Sequence, residues 1–153
     1  MHSDNPVVVY WDASAVLSAL FKDKHSEEAI NWSRREGVHL ISSLSCAEVY
    51  AVISRIRREG LLADLLINAG YESLEEGPWR RLYLIPDWDE FKSLSQKWPL
   101  RGADLWHLAT AKTLQKRIPE FYLLTFDNRL MAAAMGEGLH PESELESEGH
   151  NRL

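Results

Sequence analysis

The sequence predicts an α/β domain of three layers, α/β/α, in which helices cover both faces of a central, mostly parallel sheet of four to five strands. Three observations predict it. Short runs rich in β-branched and aromatic residues alternate with longer stretches that are apolar at helical spacing. The short runs are apolar throughout rather than at every second position, as in strands buried on both faces. A helix-length segment separates each strand from the next, and that connection suits parallel strands.

The elements follow in chain order. Residues 6–11 (PVVVYW) form an uninterrupted apolar run with three valines and read as the first strand. Residues 13–22 and 26–36 carry helical periodicity, and Gly37 follows the second of them. A strand over 38–42 leads to a helix over 44–58, which Ser43 or Ser45 can cap and which Gly60 follows. A helix over 61–74, a strand over 81–85 and helices over 88–97 and 103–116 come next. The strand over 121–125 and the helix over 128–135, with Gly136 and Gly138 beyond it, close the pattern. No internal repeat or low-complexity segment interrupts it. From Pro141 onward (PESELESEGHNRL) a single leucine precedes the terminal one, so residues 1–140 are expected to form the domain and 141–153 an acidic, mobile tail.

Composition narrows the class. At 153 residues one domain is the default, and such a chain buries roughly 68–70% of its unfolded surface. Cys46 is the only cysteine, so no intrachain disulfide forms, and a reducing compartment fits. The longest run without Asp, Glu, Lys or Arg is residues 37–47, short of the ~18 apolar residues of a membrane span. The N-terminus lacks a signal-peptide pattern, and a cytoplasmic location is expected. The net charge of −6 is uneven. Residues 137–153 hold five acids and one base, leaving 16 bases against 18 acids in the body. If four of those acids bind metal, the balance becomes 16 against 14, and an RNA-binding surface is compatible with it.

The chemistry lies in where four acids fall. In open parallel sheets, ligands bind beyond the carboxyl ends of the strands. Asp12 directly follows the first strand and Asp127 stands two residues after the fourth, so both project at that edge. Each also suits a helix N-cap. Glu48 is the only charged residue within 37–54, with Leu44 and Val52 one helical turn away on either side. Asp104 shares a helix stripe with Leu108 and Ala111, although a first-turn acid also gains from the helix dipole. Carboxylates on apolar helix sides are costly unless paired or bound to a cation. The six histidines never fall at i,i+3 or i,i+4 and there is no CxxC, which argues against zinc. Oxygen-only sites suit Mg²⁺ or Mn²⁺, which retain waters for contact with substrate phosphates.

The segments Asp12-Ala13-Ser14, 43–50 (SLSCAEVY) around Glu48, 103–111 (ADLWHLATA) around Asp104, and 124–130 (LTFDNRL) around Asp127 occur in this order. Together they resemble the four acidic motifs of PIN-domain nucleases, especially VapC-like toxins, over nearly the whole chain. The resemblance implies a Mg²⁺- or Mn²⁺-dependent endoribonuclease, usually a homodimer, held inactive by a cognate antitoxin. It assigns Asp12, Glu48, Asp104 and Asp127 to catalysis and metal binding, with Ser14 and Thr125 in supporting hydroxyl positions. Arg101, three residues before Asp104, and Arg55 and Arg58 are candidate RNA contacts, although basic residues near helix ends also serve the dipole.

Two other classes compete. An aspartyl phosphotransferase or phosphatase also places an Asp after the first strand, but such enzymes carry a second aspartate two residues on, where this chain has Ser14. A PIN-fold binding module without activity would keep the fold and not the chemistry. A nucleotide-binding switch fares worse, because none of the eight glycines forms GxxxxGK[ST] or GxGxxG. Trp11, Trp32 and Trp106 are expected in the core; Trp79, Trp88 and Trp98 suit core or dimer contact, and Cys46 a buried, inert thiol.

Overall fold

A computed structural model describes residues 6–140. The expected acidic tail, 141–153, lies outside the described residues. Four strands, β1 (Val7–Trp11), β2 (Gly37–Ser42), β3 (Trp79–Leu82) and β4 (Phe121–Leu124), form one parallel sheet in the order β3-β2-β1-β4. Among the described residues seven helices accompany them, six between strands and one after β4: α1 (Ala13–Leu20), α2 (Ser26–Ser33), α3 (Ser43–Arg58), α4 (Asp64–Glu76), α5 (Trp88–Lys97), α6 (Gly102–Gln115) and α7 (Asn128–Gly136).

Successive residues of a strand point to opposite faces, and β1 divides its side chains accordingly. Val7, Val9 and Trp11 pack with Ala15 and Val16 of α1, Val49 and Ile53 of α3 and Ile67 of α4. Tyr10 packs on the other side with Leu94 of α5, Leu108 and Ala111 of α6 and Leu130 and Ala133 of α7. Two cores on one sheet make the three layers. Fully buried aliphatic residues such as Val9, Ile53 and Leu123 each contribute roughly 1.5–3 kcal/mol of transfer free energy.

Buried polar groups in these layers are mostly paired. The Trp11 indole N–H donates to His39 Nδ1 at 3.0 Å, so His39 carries its proton on Nε2 and donates it to the Arg35 carbonyl at 2.8 Å. Gly37 opens β2 at φ +147°, with Val7 so close that a Cβ would stand 2.0 Å from its carbonyl oxygen. Only glycine fits there.

Several boundaries move from expectation for identifiable reasons. The third strand is Trp79–Leu82, two residues earlier than 81–85. It pairs Trp79 with His39 and Leu82 with Ser42, and β2 ends at Ser42, so Tyr83 and Ile85 find no ladder and lie 84% and 81% exposed. The fourth helix starts at Asp64 rather than 61, because the chain turns through Gly60 at φ +64° after α3. Neither Ser43 nor Ser45 caps α3. Ser42 does, accepting the Ser45 N–H at 3.1 Å.

Trp11 is fully buried and Trp32 and Trp106 are half-buried, whereas Trp88 is 82% exposed. Cys46 is half-buried rather than enclosed, lining a shallow cavity with Tyr50, Arg81 and Tyr83 beyond the end of β2. Among the described residues no helix is long and apolar enough to cross a membrane.

Candidate functional site

The strands end together, and the segments after them carry the acids. β1 pairs with β4 so that Trp11 lies opposite Leu124. The next residues, Asp12 and Thr125, therefore emerge side by side. Asp12 is 4% exposed and its carboxylate is held on both oxygens: Oδ1 accepts the Ala15 N–H at 2.9 Å and the Ser14 hydroxyl at 2.7 Å, and Oδ2 accepts the Thr125 hydroxyl at 2.5 Å. Thr125 Oγ1 accepts the Asp127 N–H at 3.1 Å, and Ser14 Oγ accepts the Phe126 N–H at 3.0 Å. The two hydroxyls thus tie the end of β1 to the segment after β4. Asp12 and Asp127 also cap α1 and α7, the second through Oδ1 on the Leu130 N–H at 3.0 Å. Capping and a place in the site coexist in both residues.

Asp104 lies in the first turn of α6, half-buried, with no hydrogen bond to its carboxylate among the described residues. A helix dipole alone would hold such a group low. Its pKa is instead raised, first by burial and then by the negative charges of Asp127, Asp12 and Glu48. The four acids thus share one electrostatic neighbourhood. Burial also raises the Asp12 carboxyl, against the hydrogen bonds from Ser14, Thr125 and Ala15 that favour its charged form.

Glu48 projects from the second turn of α3 and its Oε1 lies 2.7 Å from His107 Nε2. His107 is 1% exposed, one turn beyond Asp104 on α6, and its Nδ1 lies 2.5 Å from the Tyr10 hydroxyl. That hydroxyl also meets Ser42 Oγ at 2.7 Å. Tyr10, Ser42 and His107 were not singled out by sequence reasoning. The available signal was local: His107 is the one imidazole inside the apolar stripe of Asp104, Leu108 and Ala111.

Among the described residues no three His, Cys, Asp or Glu side chains close on one point as a ready cage for a metal ion. The donor set nevertheless fits a hard cation. It is all oxygen, and Asp104 brings a partly desolvated carboxylate into the field of three others. Mg²⁺ and Mn²⁺ commonly bind through one or two carboxylates and complete their shells with water. Arg101 is exposed at the N-cap of α6, three residues from Asp104. Arg55 and Arg58 are exposed in the last turn of α3, about 10 and 15 Å along the helix from Glu48.

The family model of the PIN domain matches residues 9–135. No curated protein matches the chain. Among solved structures, PAE2754 from Pyrobaculum aerophilum is similar, with 20% identity and a TM-score of 0.57 over 83% of this chain and 79% of that one. VapC20 of Mycobacterium tuberculosis, a toxin that cleaves the sarcin–ricin loop, is similar with 16% identity and a TM-score of 0.51 over 82% of this chain and 94% of that one. At these identities the two structures speak for the fold.

Proposed function

This chain belongs to the PIN domain family, and from that premise we propose that it is a Mg²⁺- or Mn²⁺-dependent endoribonuclease, the toxin of a toxin–antitoxin pair. The observation that carries the reading is the shared field of Asp12, Glu48, Asp104 and Asp127 at the carboxyl edge of the sheet. In the absence of a cation, four carboxylates in one neighbourhood repel, and Asp104 bears that cost without a hydrogen bond to offset it. The similarity to VapC20, an RNA-cleaving toxin, supports RNA as substrate and an antitoxin protein as partner. The reading includes a homodimer acting in the cytoplasm.

Asp104 and Asp127, with Asp12 and Glu48, would hold the ion. A divalent cation there supplies the Lewis acidity that activates water and offsets the charge on a phosphodiester. The chain's own part is positioning. Ser14 and Thr125 fix the Asp12 carboxylate in one orientation, and the Ala15 N–H adds a third donor. Asp127 keeps Oδ2 outside its capping bond, so it can cap α7 and face a ligand together. Arg101 provides a cation beside the acids for an RNA phosphate, and Arg55 and Arg58 extend positive charge along α3.

Asp12 as a phosphoryl-accepting nucleophile is disfavoured by its burial and by hydrogen bonds on both oxygens. The test is cleavage of structured RNA by the purified chain in Mn²⁺, Mg²⁺ or EDTA, beside Asp104→Asn. Cleavage that requires both metal and Asp104 is expected. Equal cleavage by the variant, or in EDTA, would reject the reading.

A further inference from the structure

The core between the sheet and α6 contains a continuous polar line, Ser42–Tyr10–His107–Glu48, drawn from β2, β1, α6 and α3. Three of its members, Tyr10, Ser42 and His107, are at most 2% exposed. Buried polar groups in a line must agree on who donates. At the outer end the Glu48 carboxylate can only accept, so His107 Nε2 must carry a proton to meet it at 2.7 Å. A neutral imidazole then has a bare Nδ1, and the Tyr10 hydroxyl, 2.5 Å away, is the donor within reach.

The inner end is consistent. The Ser45 hydroxyl donates to the Trp11 carbonyl at 3.0 Å and Ser42 Oγ accepts the Ser45 N–H at 3.1 Å, while the Ser42 hydroxyl reaches both Ser45 Oγ at 3.2 Å and, more closely, Tyr10 Oη at 2.7 Å. A tyrosine hydroxyl is protonated at neutral pH, so Tyr10 holds the proton this scheme needs. With Ser42 donating over the shorter of its two contacts, the order Ser42 to Tyr10 to His107 to Glu48 has one direction.

We propose that Tyr10 and His107 are a positioning pair: Tyr10 locks His107 in the Nε2–H tautomer, and His107 anchors Glu48 by Oε1, so that Oε2 is turned toward Asp104 for the cation. The last part rests on the metal-site reading; the tautomer lock does not. Without the anchor, Glu48 is a flexible side chain, 36% exposed, at the rim of the site. Hydrogen-bond partners that orient metal ligands commonly control affinity by about tenfold to a hundredfold.

Two measurements test the pair on the full chain. The first is the ¹⁵N–¹H imidazole correlation of the metal-free protein, with His107 assigned from the signals lost in His107→Gln. His39, whose Nε2–H form is set by the Trp11 indole, serves as the internal reference. His107 is expected to match the His39 pattern, and Tyr10→Phe, which leaves Nδ1 without its donor, to move the Nδ1 resonance to that of an unbonded ring nitrogen. A wild-type His107 protonated on Nδ1 or on both nitrogens, or a pattern unmoved in Tyr10→Phe, would overturn the lock.

The second is Mn²⁺ binding by calorimetry. His107→Leu should weaken it about tenfold or more, and His107→Gln, whose amide N–H reaches Glu48 from a similar distance, should recover most of the loss. Leu and Gln variants that both bind like the wild type would overturn the anchor. If His107→Leu does not fold, the Tyr10→Phe spectrum and the Gln variant decide. A wild-type chain that binds no Mn²⁺ would reject the metal site, while the metal-free spectra still judge the lock.

Discussion

Thr125 donates its hydroxyl to Asp12 Oδ2 across 113 residues of sequence, while the same oxygen, Oγ1, accepts the Asp127 N–H. One side chain, itself fully buried, therefore fixes two of the four acids at once.

Thr125→Val keeps the shape and removes both bonds. The Asp12 carboxylate then loses a partner in a buried setting and the Asp127 N–H one in a part-buried setting, at about 1–3 kcal/mol for each unsatisfied group. Urea denaturation should show a loss of about 2–4 kcal/mol. An unchanged midpoint would mean that water replaces the hydroxyl on both sides.

Asp104→Asn should act in the opposite sense on the metal-free chain. Burial and the neighbouring acids raise the native Asp104 pKa above its ordinary 3.8, so between the ordinary value and the raised one the native state binds more protons than the unfolded state. Stability from that protonation is full at acid pH and falls as pH rises from the ordinary value through the raised one. The Asn variant lacks the charge at every pH. Its Tm should exceed the wild type by about 1–2 °C at neutral pH, with the gap closing on acidification. A gap that widens toward acid pH would contradict the sign.

Added Mn²⁺ should stabilise the wild type by mass action. At a hundred times its Kd the gain is about 2.7 kcal/mol, a Tm rise of roughly 5–10 °C for a chain of this size, reversed by EDTA. The Asp104→Asn variant should show little of it. Equal rises in both chains would place the ion elsewhere.

Gly37→Ala tests the close approach of β2 to the start of β1. The added Cβ would fall 2.0 Å from the Val7 carbonyl oxygen and 2.5 Å from its nitrogen, against backbone and at a φ that L residues avoid. A loss of about 3 kcal/mol or more is expected by thermal or urea unfolding.

Arg101→Glu should weaken binding of RNA to a cleavage-deficient Asp104→Asn chain and flatten its dependence on salt. Arg55→Glu and Arg58→Glu, at the far end of α3, should do so less. Filter binding at several salt concentrations would separate the two positions, and equal slopes for all three would remove Arg101 from the contact.

The parts legible in the sequence were those encoded locally. The apolar run 6–11 marks β1 because a strand covered on both faces needs it, and Asp12 and Asp127 could be assigned to one edge from strand order alone. The third strand was misplaced because its register depends on β2, which ends at Ser42, and the run 82–85 carries no sign of that limit. The cap of α3 was missed by one residue because Ser42, Ser43 and Ser45 are chemically equivalent in the sequence. Tyr10 and His107 meet across 97 residues, and His107 and Glu48 across 59; Tyr10 and His107 each read singly as an ordinary core residue. Their meaning is a matter of contact, which spacing does not carry.

The central position of β1 has a consequence for the timing of assembly. Asp12 is made 113 residues before Thr125, so its Oδ2 has no donor until the segment beyond β4 docks, and Val8 pairs with Phe121 only once that strand has been made. Parallel pairings of such span form slowly and late. A nascent chain still short of Phe121 therefore holds three of the acids in covalent order without their shared edge. On the proposed reading, the chain gains its activity only once the segment after β4 has emerged and docked beside β1.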